Sequence, residues 1–160
     1  MATQADHERF MRRAIELAYE AMESGKGRPF GAVVVRDNEI VAEGHNEVPH
    51  RMDITAHAET VTLGRATQAL NSLDLSDCDI YVNGVPCPMC MTAIYWSKIR
   101  KLYYACPSAD GVAAGFDDSV MYADLAKPLH ERELPAEQVT AVLDEARACY
   151  AAWRARQGGE

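Results

Sequence analysis

The chain of 160 residues carries 24 acidic side chains against 16 Lys and Arg, a formal charge of −8, with 48% hydrophobic residues. That content suffices for one compact domain with its own core, and no stretch approaches the ~20 apolar residues a bilayer crossing needs, so no membrane association is expected. The start, Met1-Ala2-Thr3-Gln4-Ala5-Asp6, lacks a basic-then-apolar leader pattern and there is no basic run, so the expectation is a cytoplasmic protein that does not bind nucleic acid.

In chain order, Phe10, Met11, Ala14, Ile15, Leu17, Ala18, Ala21 and Met22 recur at helical spacing, which predicts an amphipathic helix over about residues 4–24, ending near Gly25. Two short apolar runs, Gly31 to Val35 and Glu39 to Glu43, flank Arg36-Asp37-Asn38 and predict an antiparallel hairpin. After the polar loop Asn46 to Asp53, the segment Ala56 to Leu70 reads as a helix with Thr55 as its cap, placing His57 and Glu59 in the first turn. A strand from Cys78 to Asn83 follows, then a helix from about Pro88 to Ser97 with Cys87 at its start. Ile99 to Ala105 is a further strand and Ser119 to Ala126 a short helix. Gln138 to Leu143 reads either as a fifth strand or as the first turns of a helix continuing to Arg156. No repeat, low-complexity tract or linker divides the chain.

Five cysteines are an odd count, and Cys87 and Cys90 stand two residues apart in a chain without an export pattern, which favours metal over a disulfide framework. His57-Ala58-Glu59 and Pro86-Cys87-Pro88-Met89-Cys90 together supply one imidazole and two thiolates, three ligands for a tetrahedral Zn²⁺ with the fourth position left for water. A helix N-terminus favours the thiolate form of the CxxC cysteines. Zinc lowers the pKa of its water towards neutrality, and Glu59, two residues past His57, is placed to move protons between that water, a ring nitrogen and a departing amine. Competing readings are a redox CxxC pair, or a closed structural zinc with His45 or His50 as fourth ligand. Cys78, Cys106 and Cys149 read as ordinary buried thiols, and Met89 and Met91 as packing. Taken alone, Phe30 reads as a core aromatic before a pocket residue, Asn46 also as a turn residue, and Asp117-Asp118 as the cap of the helix at Ser119.

Over nearly its whole length the sequence resembles the cytidine deaminase-like superfamily, and within it the bacterial guanine deaminases. The likeness lies in Arg28-Pro29-Phe30-Gly31-Ala32-Val33, Glu43-Gly44-His45-Asn46, Thr55-Ala56-His57-Ala58-Glu59, Pro86 to Cys90, Ala93-Ile94-Tyr95-Trp96, and Ala114-Gly115-Phe116-Asp117-Asp118-Ser119. The resemblance implies an α/β fold, a three-layer α/β/α sandwich on a mixed five-stranded sheet, formed by one deaminase domain over residues 1–160. It implies a homodimer in which 128–160 is a swapped or capping segment, and conversion of guanine to xanthine with one Zn²⁺ per chain. It further implies that Phe30 and Asn46 hold the base, that Asp118 lies near the exocyclic amine or a shuttled proton, and that Trp96 shapes the apolar wall. Other amino-heterocycles or nucleosides are alternative substrates of the same chemistry, and a tRNA adenosine deaminase or a non-catalytic zinc domain are the alternatives in kind. Two departures stand out. Val85 occupies the place where superfamily members carry Glu, and the chain ends Gly158-Gly159-Glu160 where guanine deaminases of this type end on an aromatic residue.

Overall fold

The computed structural model describes residues 2–158, so the expectation attached to the chain terminus at Gly159 and Glu160 lies outside the described residues. The elements in order are α1 (Gln4–Glu23), β1 (Gly31–Arg36), β2 (Glu39–His45), α2 (Val48–Arg51), α3 (Ala58–Leu70), β3 (Asp79–Gly84), α4 (Pro88–Trp96), β4 (Lys101–Cys106), α5 (Ser108–Ala113), α6 (Ser119–Leu125) and α7 (Leu143–Gln157). The chain divides into two compact units, the first ending at Met121 and the second beginning at Tyr122.

The first unit is built on a mixed sheet of order β2-β1-β3-β4. β1 runs antiparallel to both β2 and β3, and β3 runs parallel to β4. Asp37 and Asn38, at φ of 51° and 65°, make the tight turn between β1 and β2, a conformation Asn and Asp tolerate and whose twist suits a hairpin. The parallel pair needs a crossover, and α4 supplies it. Successive residues of a strand face opposite sides. Ala32, Val34, Ile80 and Val82 therefore pack with Ala58, Leu63 and Ala66 of α3 and Ile94 of α4. Val33, Val35 and Tyr81 pack with Phe10 and Leu17 of α1 on the other face. Helices thus cover both faces of the sheet. Thr3 and Asp6 close a capping box at the start of α1.

Three expectations change. The described sheet has four strands, not five. Gln138 to Leu143 forms instead a 3-10 turn at Thr140–Val142 leading into α7, because the second unit contains no other described strand to pair with it and a lone strand leaves its backbone groups unsatisfied. The third helix begins at Ala58 rather than Ala56, with His57 as its N-cap. Thr55 turns away from the cap role and spends its N–H and hydroxyl on Asp53 Oδ1, at 2.8 and 2.6 Å. A short helix, α2, lies within the loop expected from Asn46 to Asp53, and α5 falls in a segment for which no element was predicted.

In the second unit, Asp124 organises the turn after α6. Its carboxylate accepts from the Glu133 N–H at 3.0 Å and pairs with Lys127 at 2.9 Å. None of the described residues from 122 to 158 is buried. Leu134, Val139, Tyr150 and Trp153 stand exposed there. No described helix is long and apolar enough to cross a membrane.

Candidate active site

The sequence folds so that two helix N-termini converge. His57 is the N-cap of α3 and Cys87 the N-cap of α4, both with extended backbones and neither side chain spent on capping. A side chain at that position points past the helix end and is free for another partner. Within the first turn of each helix, Glu59 and Cys90 are buried. Cys87 Sγ lies 3.6 Å and Cys90 Sγ 3.5 Å from the same atom, Nδ1 of His57. A tetrahedral zinc with bonds of ~2.3 Å to sulfur and ~2.05 Å to nitrogen separates S and N by about 3.6 Å. The three donor atoms all lie within 4.8 Å of one another, and no fourth His, Cys, Asp or Glu joins them among the described residues. The residues therefore fit a zinc ion, in an open site rather than a closed structural one. His45 Nδ1 is instead against the carbonyl of Asn46, at 3.0 Å, and His50 is exposed.

Electrostatics follow from the same packing. The Cys87 thiol is held down to about 4 by hydrogen bonds from the Cys90 thiol and His57, helped by the positive end of α4. The neighbouring Cys87 sulfur and burial push Cys90 up, so without a cation the two sulfurs share one proton. His57 is raised, chiefly by Cys87. Glu59, only 5% exposed, has its carboxyl raised by burial, which favours the protonated form of a group that is to pick up and pass on a proton.

These groups open into a cavity of about 390 Å³. Phe30 and Phe116 stand edge to face on its wall, ring centroids 4.9 Å apart at 75°. Asn46 is 1% exposed, and its Oδ1 accepts the N–H groups of Arg28 at 3.2 Å and Val48 at 3.3 Å. The amide nitrogen of Asn46 is thereby left as the donor available to a ligand. Asp118 is part-buried on the wall, with its carboxyl raised by burial. Asp117, by contrast, accepts from Ser119 N and Oγ at 3.0 and 2.6 Å, so of the two aspartates it is Asp117 that secures the start of α6.

The structure brings together every sequence-predicted site residue but one. Trp96 is 83% exposed at the far end of α4 and does not line the cavity. It lies nine residues past Cys87 and six past Cys90, which along a helix is about 13 and 9 Å from the two sulfur donors. Of the cysteines read as buried thiols, only Cys78 is; Cys106 and Cys149 are exposed, and Cys106 lines the cavity. Arg28 and Asn83 also line it, and sequence reasoning gave them no pocket role; Val85 and Phe116, singled out in the sequence as a departure from the family and as part of a motif shared with it, line it as well. For Arg28 the signal was its place directly before Pro29-Phe30.

A metal triad with an open fourth position beside a buried carboxylate that is not a ligand defines a zinc-dependent hydrolytic deaminase. The chain belongs to the family described as the cytidine and deoxycytidylate deaminase zinc-binding region, whose model matches residues 4–106. It is 45% identical to guanine deaminase of Bacillus subtilis over 93% of this chain and 94% of that protein. The crystal structure of a Bacillus subtilis guanine deaminase superposes with a TM-score of 0.88 at 45% identity, over 92% of this chain and 93% of that one. A structure of guanine deaminase from Nitrosomonas europaea is 32% identical, with a TM-score of 0.66 over 74% of this chain and 66% of that one. A tRNA-specific adenosine deaminase of Aquifex aeolicus is 38% identical over 61% of this chain and 64% of that protein.

Proposed function

We propose that this protein converts guanine to xanthine and ammonia, with one Zn²⁺ per chain held by His57 Nδ1, Cys87 and Cys90. When bound, the cation makes a water acidic enough to be a nucleophile at neutral pH. Glu59 would take a proton from the attacking water and deliver it to the ring nitrogen beside C2, then take the remaining proton from the new C2 hydroxyl and pass it to the departing amine. A C2–O bond forms and the C2–N bond breaks. The geometry that carries this reading is the buried Glu59 beside the S–N–S donor set, in a cavity with an aromatic wall formed by Phe30 and Phe116 in edge-to-face contact. A flat base fits against such a wall, with its plane or edge on the aromatic surface. Asn46 holds the base through its free amide nitrogen. Asp118, with its raised carboxyl, accepts hydrogen bonds from the exocyclic amine and carries a proton at that end. The full-length likeness to proteins called guanine deaminases supports the choice of base.

The protein works as a homodimer in which 128–160 crosses to the partner. Support comes from the apolar side chains of that segment, among them Tyr150 and Trp153, which stand exposed, and from exposed Tyr95 and Trp96 on α4. Trp96 then contributes at the interface. Light scattering on the purified chain tests this: a dimer mass is expected, and a monomer at micromolar concentration contradicts it.

An ammonia-release assay on the zinc-loaded protein, across guanine, guanosine, cytosine, cytidine, adenine, pterin and an amino-triazine, tests the substrate. Guanine should lead the series. Greater turnover of a pyrimidine or an amino-triazine would contradict the guanine assignment while leaving the deaminase chemistry standing.

A further inference from the structure

The loop Gly27 to Gly31 is locked at almost every backbone group. The Arg28 N–H bonds Asn46 Oδ1, the Arg28 carbonyl accepts from the Phe30 N–H at 2.7 Å, and the Phe30 carbonyl accepts from the Asn46 N–H at 2.9 Å. Asn83, at the end of β3, donates through Nδ2 to the Pro29 carbonyl and accepts at Oδ1 from the Gly31 N–H, both at 3.0 Å. Gly27 is so close to Asn46 that a Cβ there would lie 1.7 Å from the Asn46 carbonyl oxygen. A loop fixed in this way holds whatever it carries in one place before any ligand arrives.

Within it Arg28 is exposed, is the only Lys or Arg among the described residues lining the cavity, and acts by its charge on His57. No carboxylate of a described residue lies within ion-pair distance of its guanidinium, although this chain is rich in acids and most of its other arginines are paired. Val85, on the same wall, brings no charge. An unpaired planar guanidinium is suited to two acceptors lying side by side in one plane, which a point-charge ammonium cannot bridge.

Building on the guanine reading, we infer that Arg28 is a specificity-determining residue that donates to the O6 and N7 edge of a 6-oxopurine. With C2 directed at the metal donors and the nitrogen beside it reserved for the proton from Glu59, O6 and N7 are the remaining adjacent acceptor pair of guanine. The Asn46 amide nitrogen stands beside Arg28 as a further donor. A 6-amino group at the same place would set donor against donor, so the site discriminates against 6-aminopurines that carry the same 2-amino leaving group.

The test compares wild type, Arg28→Ala and Arg28→Lys, all zinc-loaded, in turnover of guanine and 2,6-diaminopurine and in equilibrium binding of hypoxanthine and adenine. Arg28→Ala should cut kcat/KM for guanine about tenfold or more, mainly through KM, and change 2,6-diaminopurine by less than about threefold. Arg28→Lys should fall between wild type and Arg28→Ala. Hypoxanthine should bind the wild type more tightly than adenine, and Arg28→Ala should erase that preference. Equal effects on both substrates, or a hypoxanthine preference kept in Arg28→Ala or missing in the wild type, overturns the inference. Failure of the wild type to consume guanine would contradict the proposed reaction instead, and the hypoxanthine and adenine binding still decides the role of Arg28.

Discussion

Cys90 Sγ and Nδ1 of His57, 33 residues apart in sequence, lie 3.5 Å from each other at the meeting of two helix N-termini. The first prediction concerns this pair. Cys90 is fully buried, and Cys90→Ser exchanges a soft sulfur for a hard oxygen that reaches less far. Elemental analysis should show zinc reduced to background in Cys90→Ser and His57→Ala, while Met89→Ala retains it. Because both sulfurs must shed the proton they share, zinc affinity should fall as pH is lowered, with protons released on binding. Full zinc content in Cys90→Ser would remove Cys90 from the ligand set.

Glu59 combines burial with an ionisable function, and the two pull in opposite directions. Its folded carboxyl is raised by burial, so the native state holds that proton more tightly than the unfolded chain does. The resulting stabilisation is complete below the ordinary Glu range near 4.5 and is lost as pH rises through the higher folded value. Glu59→Gln removes the charge without changing shape. In the metal-free protein it should therefore have a higher Tm than wild type at pH 8, with the gap closing towards pH 4. The same substitution should keep zinc and lower turnover about 10²-fold or more. An active Glu59→Gln enzyme would strip Glu59 of the proton-transfer role.

Asp117 and Asp118 are adjacent but do different work. Both line the cavity, but Asp117 is exposed and its carboxylate is taken up by Ser119, whereas Asp118 is part-buried. Asp117→Ala should lower Tm a little and leave kcat and KM near wild type. Asp118→Ala should lower kcat strongly with Tm and zinc content kept. Reversal of these two patterns would exchange the roles.

Gly27 has no room for a side chain, since the atom its Cβ would strike belongs to the backbone of Asn46. Gly27→Ala must push the loop off Asn46, at a cost of about 1–3 kcal/mol. Chemical denaturation should register that loss together with a raised KM, because Asn46 and Phe30 move with the loop. Gly25→Ala makes a useful contrast: its neighbour positions are open, but its φ of +69° should give a stability loss without a change in KM.

Much of this site was legible in the sequence because its chemistry depends on short spacings. His57, Glu59, Cys87 and Cys90 fall within two local motifs, and helix N-termini place such motifs predictably. The four strands and the β1–β2 turn were visible in their apolar patterning and in Asp37-Asn38. What stayed hidden is non-local. Arg28 and Asn83 are 55 residues apart, and only the β1–β3 pairing brings the loop and the strand end together. Gln138 to Leu143 read two ways because Val139, Thr140 and Val142 favour strands locally, while pairing depends on a neighbour that is missing among the described residues of the second unit, and the helical alternative is the one observed. Trp96 belonged to a recognised motif, yet its position at the far end of α4 sets it outside the cavity.

The most direct test of the central claim is a zinc titration of the chelator-stripped protein, with xanthine formation from guanine followed by absorbance. Xanthine production should be absent without metal, rise in proportion to added zinc, and level off at one zinc per chain. Turnover by the metal-free protein, or a fully loaded protein that leaves guanine unchanged, would contradict it.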